Sequence, residues 1–351
     1  MDNILTYVKY KADVPLKYAP FNEADAMVFA ILIGMDFDED LQDGMTMREM
    51  SDRYSNVPNP DSKDERYDEK EHLLYMVGNS VRYGNAVMSG FVKDIDDRQE
   101  KTFYAATFSF GKFFKLITFR GTDGSLLSWK ENFVTLYKYP TPGQIEAKQY
   151  LEDTIKASKN PFVKFAVTGH SKGGNLACYS TIFAEPKCQK RIKQIYLFDA
   201  PGFIRDLNEE PGFFTIKDRM QAFVPEGCVI GKLMTEVGEL LPVRCGGKGI
   251  YQHDMFWWKT LGTGLERAAA TNAFSLRLSE KVNDWIESMP EEERKETVDE
   301  LFDVFRKNGI LHFADLSHMD IKKLLGIIMS ATRLSSENRR LLGIIFKELW
   351  S

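Results

Sequence analysis

The sequence predicts an α/β fold with a mostly parallel central sheet, an N-terminal helical segment and a C-terminal all-helical extension. Three observations lead there. Short β-rich runs alternate with helix-period runs between residues 101 and 200, charged and proline-bearing breaks interrupt the first hundred residues, and beyond residue 262 only helical spacing remains. Strands alternating with helices imply βαβ units, whose crossovers place helices on the faces of a parallel sheet. At 351 residues the chain can bury one large core, or one core with a smaller appendage. The expected division is 1–262, with 1–100 helical and irregular and 101–262 the α/β core, followed by a helical subdomain over 263–351.

In chain order, "NEADAMVFAILIG" opens with a cap residue at Asn22 and spaces its apolar residues as a buried helix does. "PNPDSKDERYDEKE" (58–71) is charged and proline-bearing and reads as a solvated loop. In "KTFYAATFSFGKFFKLITFRGTDG", Phe and Thr enrichment with partial alternation predicts two strands that turn at Gly111, the second ending at Phe119. Then follow a helix at "GQIEAKQYLEDTIKASK", a strand at "PFVKFAVTG", a helix at "GGNLACYSTIFA" and a strand at "KQIYLFDAP". The glycine-rich stretch 202–249 reads as irregular, with one strand at "RMQAFV". Further on, "SMPEEERKETVDELFDVFRKNG" predicts a helix with a Ser288–Glu291 capping box, a proline near its start and a stop at Gly309. Two amphipathic runs close the chain, the last carrying Leu341, Leu342, Ile345 and Trp350 on helical spacing, expected to pack on the core.

Composition narrows the function. Hydrophobic residues make up 43% and charged residues 28%, as in a globular protein, and a net charge of −5 leaves no basic footprint for nucleic acid. Cys178, Cys188, Cys228 and Cys245 form no CxxC pair and no ligand-like spacing with the five histidines, so reduced thiols are expected and no metal or cofactor is called for. No apolar run approaches the roughly 18 residues of a transmembrane helix, and the first residues resemble no signal peptide. The expected location is the cytoplasm.

The chemistry centres on "FAVTGHSKGGNLACY". A strand running into Gly169-His170-Ser171-Lys172-Gly173 and straight on into a helix is the setting of a nucleophile elbow, a strained turn that needs small residues on both sides of its serine. The helix start behind Ser171 adds free N–H groups and a positive dipole end. Upstream, the strand ending at Phe119 delivers Arg120-Gly121-Thr122, where the backbone N–H of Thr122 would join that of Lys172 as an oxyanion hole. The chain order nucleophile, acid, base excludes His72; His170 points away from its neighbour in such a turn; His312 and His318 lie in the helical tail. His253 in "GIYQHDMFWWK" remains as base. Two carboxylates compete for the acid: Asp199, at the end of the strand after the nucleophile strand, and Glu226, after the next strand. Asp254, beside His253, would point the wrong way.

These motifs together resemble the class 3 lipases, and more closely an uncharacterised lipase-like bacterial branch of that superfamily. The shared pieces are Phe119 to Asp123, Trp129 to Phe133, Pro142 and Gln144, Gly169 to Ala177, Phe198 to Phe203, and His253 to Trp258, covering residues of about 20 to 262. The branch pattern has glycine where this chain has Ser128 and aspartate where it has Asn132, and the Asp-x-Val-Pro turn of true lipases is replaced by "VPEGCVIG". The resemblance implies an α/β-hydrolase fold, Ser171 as nucleophile, His253 as base and Thr122 with Lys172 as oxyanion donors. The expected activity is hydrolysis of a carboxylic ester, a small molecule or lipid, through an acyl-enzyme. An inert hydrolase-like scaffold that binds a ligand or partner, and transfer to another acceptor, are the competing expectations. Leu126 to Tyr139 and Gly202 to Gly249 are the segments expected to cover the site.

Overall fold

Side chains alternating at period two let the central strands be covered on both faces. A computed structural model of the protein describes residues 2–37, 41–55, 69–312, 315, 320–331, 334–336, 338–339 and 342–343. Its seven-stranded sheet runs in chain order: β1 (Val87–Asp96), β2 (Lys101–Phe110), β3 (Phe114–Phe119), β4 (Lys164–His170), β5 (Ile192–Phe198), β6 (Met220–Pro225) and β7 (Leu240–Val243). The first three strands pair antiparallel, and β3 to β7 pair parallel. The predicted α/β class and mostly parallel sheet are therefore observed.

Helices α1 (Ile4–Lys11), α2 (Glu23–Leu32), α3 (Met47–Tyr54) and α4 (Glu69–Gly78) cover one face, against Ala106, Phe108, Leu116, Tyr196 and Phe198. The cap at Asn22 forms: its side chain accepts from the N–H groups of Ala24 and Asp25, and Asp25 returns the bond to the Asn22 N–H. Asp25 is fully buried and holds Arg82, Tyr7 and Tyr83 together. On the opposite face, α6 (Pro142–Ala157) and α7 (Lys172–Phe183) pack on Phe103, Ile117, Phe119, Phe165 and Val167.

A third apolar cluster joins α5 (Leu126–Val134), which directly follows β3 and its loop, to the helices α10 (Ala273–Ser288), α11 (Glu291–Lys307) and α12 (Ile321–Met329). Short helices α8 (Pro186–Gln189) and α9 (Pro211–Ile216) precede them in the chain. Trp129 of α5 stacks on Phe305 at 5.8 Å and meets Phe302 edge-on. The Leu126 N–H donates to the Leu311 carbonyl (2.9 Å), and Lys130 bridges Glu100 and Asp299. The C-terminal helices are thus fastened to the segment that follows the Arg-Gly-Thr turn.

Three local readings differ from the structure. The stretch 1–100, expected to be helical and irregular, contains edge strand β1; a bulge between Ser89 and Val92, with Gly90 at φ 62°, breaks the alternation that would have revealed it. The irregular stretch 202–249 also holds α9 and β7. Ser288 does not cap α11: it ends α10 and donates its hydroxyl to the Trp285 carbonyl (2.8 Å), while Pro290 holds the cap position without a side-chain bond. Residues 58–68 of the predicted loop, His318, and Leu341, Ile345 and Trp350 of the last run lie outside the described residues; Leu342 is buried. No helix among the described residues is long and apolar enough to cross a membrane.

Candidate active site

Sheet register sets the site. Phe119 pairs with Gly169, His170 with Phe198, and Phe198 with Phe223, so the turn after β3, Ser171 and Asp199 leave one edge of the sheet side by side. Ser171 lies between β4 and α7 at φ 55°, ψ −127°, a conformation rare for a residue with a Cβ and stored only where surroundings enforce it. Its N–H donates to the Phe198 carbonyl (2.9 Å) and its own carbonyl accepts from Gly174 and Asn175. The close approach explains the flanking glycines: a Cβ at Gly169 would sit 2.2 Å from the Gly173 backbone, and one at Gly173 would sit 2.2 Å from the Phe119 carbonyl.

Asp199 follows β5 at φ 43° and is completely buried. One carboxylate oxygen lies 2.6 Å from His253 Nδ1, and the other accepts the Gly231 N–H at 3.0 Å. Burial alone would push this carboxyl up, but His253 and the Cys228 thiol beside it hold it below the ordinary aspartate value. The structure thus brings Asp199, not Glu226, to the imidazole. Glu226 follows Pro225, past the sheet edge, and forms an ion pair with Arg244 at 2.9 Å. Asp254 caps the next turn through the Phe256 N–H (3.0 Å).

His170, set aside from the sequence, lines the same cavity as Ser171 and His253. Its ring packs on that of His253 with centroids 4.4 Å apart, and its Nε2 lies 2.8 Å from the His253 carbonyl. A carbonyl only accepts, so Nε2 carries the proton. Burial and the neighbouring His253 push the His170 pKa down to about 3, which keeps it neutral near pH 7.

The turns that carry Thr122 and Lys172 are also brought together. A Cβ at Gly121 would lie 2.8 Å from the His170 carbonyl and 3.6 Å from the Ser171 Cβ, so the two turns touch. Among the described residues neither the Thr122 nor the Lys172 N–H donates to a loop or turn acceptor, and the latter opens a helix, where N–H groups lack intrahelical partners. The Asn132 amide donates to the Thr122 hydroxyl oxygen at 2.8 Å. The Lys172 side chain turns away from the cavity, into a buried network with the Glu131 carboxylate (2.5 Å) and the Thr102 carbonyl and hydroxyl (2.6 Å each). Glu131 also accepts the Thr102 N–H at 2.9 Å. Sequence reasoning gave Glu131 no role; its signal was the acid in "WKENF" directly downstream of the Arg-Gly-Thr turn. Arg120 pairs with Asp36 (2.8 Å) and covers the Tyr104 ring.

Ser171, His170, His253, Thr122 and Asn132 open into one cavity of about 1230 Å³. Of the segments expected to cover the site, Leu126 to Tyr139 contributes Trp129 and Phe133 of α5 and Leu136 beyond it, and the 202–249 stretch contributes Val229, Leu233 and Met234. The C-terminal α10 adds a wall that the sequence did not announce. Asp199, Cys228 and His253 also offer ligand atoms within 4.8 Å of one another, but a cation there would have to break the Asp199–His253 bond.

This constellation can support proton transfer from a strained serine to a carboxylate-backed imidazole. Among curated proteins, no relative matches the chain. The Mbeg1-like family model matches residues 77–303, well over half of the chain, from the helix before β1 into α11. The protein therefore belongs to the Mbeg1-like family, a lipase-like family.

Proposed function

We propose that the protein is a serine hydrolase of the esterase or lipase type, acting on a carboxylic ester of a small molecule or lipid. The observation that carries this reading is the 2.6 Å contact between His253 Nδ1 and the buried carboxylate of Asp199, in the cavity that Ser171 enters from a strained turn. In this reading His253 Nε2 takes the Ser171 hydroxyl proton as Oγ attacks the ester carbonyl. Asp199 keeps the Nδ1 tautomer and stabilises the imidazolium. The N–H groups of Thr122 and Lys172, with the Thr122 hydroxyl, hold the tetrahedral oxyanion. The alcohol leaves with the proton returned by His253, and water activated by the same base releases the acid.

Neutral His170 fits this scheme twice. Its Nε2–H holds the carbonyl of the base residue, and its lack of charge avoids repelling the imidazolium as it forms. A fluorophosphonate probe should label the wild-type protein and leave Ser171→Ala unlabelled, and p-nitrophenyl butyrate should turn over only with the former. Equal labelling of both, or a folded wild type inert to probe and ester, overturns the reading in favour of a binding scaffold.

A further inference from the structure

The cavity is chemically divided. Its charged lining, including Asp36, Lys70, Arg120 and Lys248, comes from the N-terminal half of the chain and the approach to His253. The lining contributed by α5, Leu136, residues 229, 230, 233 and 234, α10 and Leu342 includes no charged side chain. On α10 the cavity-facing residues are Leu278, Val282, Trp285 and Ile286, at the i, i+4, i+7 and i+8 positions of one helical stripe. The other side of the same helix carries exposed Glu280, Lys281, Asp284 and Glu287.

Polar atoms on the apolar side are few, and two of them have partners. The Trp285 indole N–H donates to Asn338 (3.0 Å), and the Asn132 amide is committed to Thr122. A space with so few polar groups on its walls gains little from a polar occupant and charges it a desolvation cost. It gains from each methylene taken out of water. Because this space is continuous with the one holding Ser171, its occupant is part of the molecule whose carbonyl meets the serine.

We infer that the C-terminal helix α10 forms an acyl-chain site, so that the substrate is the ester of a long, unbranched fatty acid, with Val282 and Ile286 setting the chain length accepted. This rests on the hydrolase reading of Ser171. The chain lies along α5 and α10, and the charged lining is left for the polar part of the amphiphile. The helical extension is then part of the substrate site, added to a sheet that carries the chemistry alone.

The test uses the full-length protein and p-nitrophenyl acetate, butyrate, octanoate, laurate and palmitate. At a few-fold gain per buried methylene, kcat/KM should rise by on the order of 10³-fold over the six methylenes from acetate to octanoate. Val282→Trp, which fills the stripe, should lower kcat/KM for laurate about tenfold or more while acetate changes less than about twofold. Leu278→Ala, which enlarges the space, should shift the optimum to a longer chain and guards against a tryptophan variant that fails to fold. Binding is read separately in Ser171→Ala by the emission shift of a dansylated undecanoate, which should weaken about tenfold with Val282→Trp added.

A flat chain-length profile, or acetate and laurate falling in parallel in a folded Val282→Trp, overturns the acyl-chain site even if Ser171 is labelled. Dansyl-undecanoate bound at α10 with no ester cleaved and no labelling would leave the site standing and remove the hydrolase reading instead.

Discussion

Asp199→Asn is the sharpest test of the proposed chemistry because the change is nearly isosteric and its environment is fully defined. The carboxylate has no exposure, contacts Gly231 N–H through one oxygen at 3.0 Å, and meets His253 Nδ1 through the other at 2.6 Å. An asparagine held by the same Gly231 N–H presents its amide N–H to the imidazole. Nδ1 must then accept, the ring proton moves to Nε2, and the atom that should take the Ser171 proton has none of its basicity left. The imidazolium also loses its counter-charge: two unit charges about 4 Å apart at an effective dielectric near 20 attract by about 4 kcal/mol. At 1.36 kcal/mol per factor of ten, that is roughly a 10³-fold loss in kcat. The assay is steady-state hydrolysis of p-nitrophenyl butyrate, with a thermal melt to show that the variant folds, and with Glu226→Gln beside it. Glu226 sits in a partly exposed pair with Arg244, worth at most about 1 kcal/mol of stability, and its variant should keep kcat within about twofold. A folded Asp199→Asn that loses less than tenfold, or a Glu226→Gln that loses as much as Asp199→Asn, refutes the assignment of the acid.

Three further outcomes are expected. Asn132→Asp replaces the donor on the Thr122 hydroxyl with an acceptor that captures its proton, so kcat should fall about tenfold or more with KM little changed; an unchanged kcat would remove that hydroxyl from oxyanion binding. Lys172→Met leaves the Glu131 carboxylate buried without its cation and should cost about 3–5 kcal/mol in urea unfolding, much of it recovered when Glu131→Gln is added; a loss under about 1 kcal/mol would mean the network does not hold the elbow. For His170 the sign follows from a folded pKa of about 3 against an unfolded value near 6.5. Between these pH values the unfolded chain holds the extra proton, so stability falls as pH drops below about 6.5, by up to about 1.4 kcal/mol per pH unit. His170→Gln should flatten that part of the stability profile, and an equally steep slope in the variant would show that other groups produce it.

The mostly parallel α/β sheet and the elbow were legible because both follow from short-range rules. Short β-rich runs alternating with helix-period runs marked the central strands, and the glycines around Ser171 marked a turn where backbone touches backbone. The acid was ambiguous because Asp199 and Glu226 both follow parallel strands. Register separates them: Phe198 pairs with Phe223, so Asp199 emerges level with the serine turn while Glu226 lies beyond Pro225. Strand β1 was hidden by the bulge at Gly90, and Ser288 imitated a cap because the helix before it had not been placed. His170 was set aside on the expectation that neighbours in a turn diverge. In the structure its ring lies against that of His253, a contact made over 83 positions of separation. The α10 wall was out of reach for a similar reason: amphipathic spacing shows which side of a helix is apolar, not what it faces.

Position 172 has a consequence for how variants here should be interpreted. Its main-chain amide is the proposed oxyanion donor, while its ammonium is tied to Glu131 and Thr102. Under the proposed hydrolase reading, alanine scanning at this site would report lost activity and invite the conclusion that lysine takes part in the chemistry. The lesion would instead lie in the anchoring of α5, the helix that also carries Asn132 and fastens the C-terminal helices. Only replacing the amide itself, by an ester linkage at Lys172 in a semisynthetic chain, would separate the role of the backbone from that of the side chain.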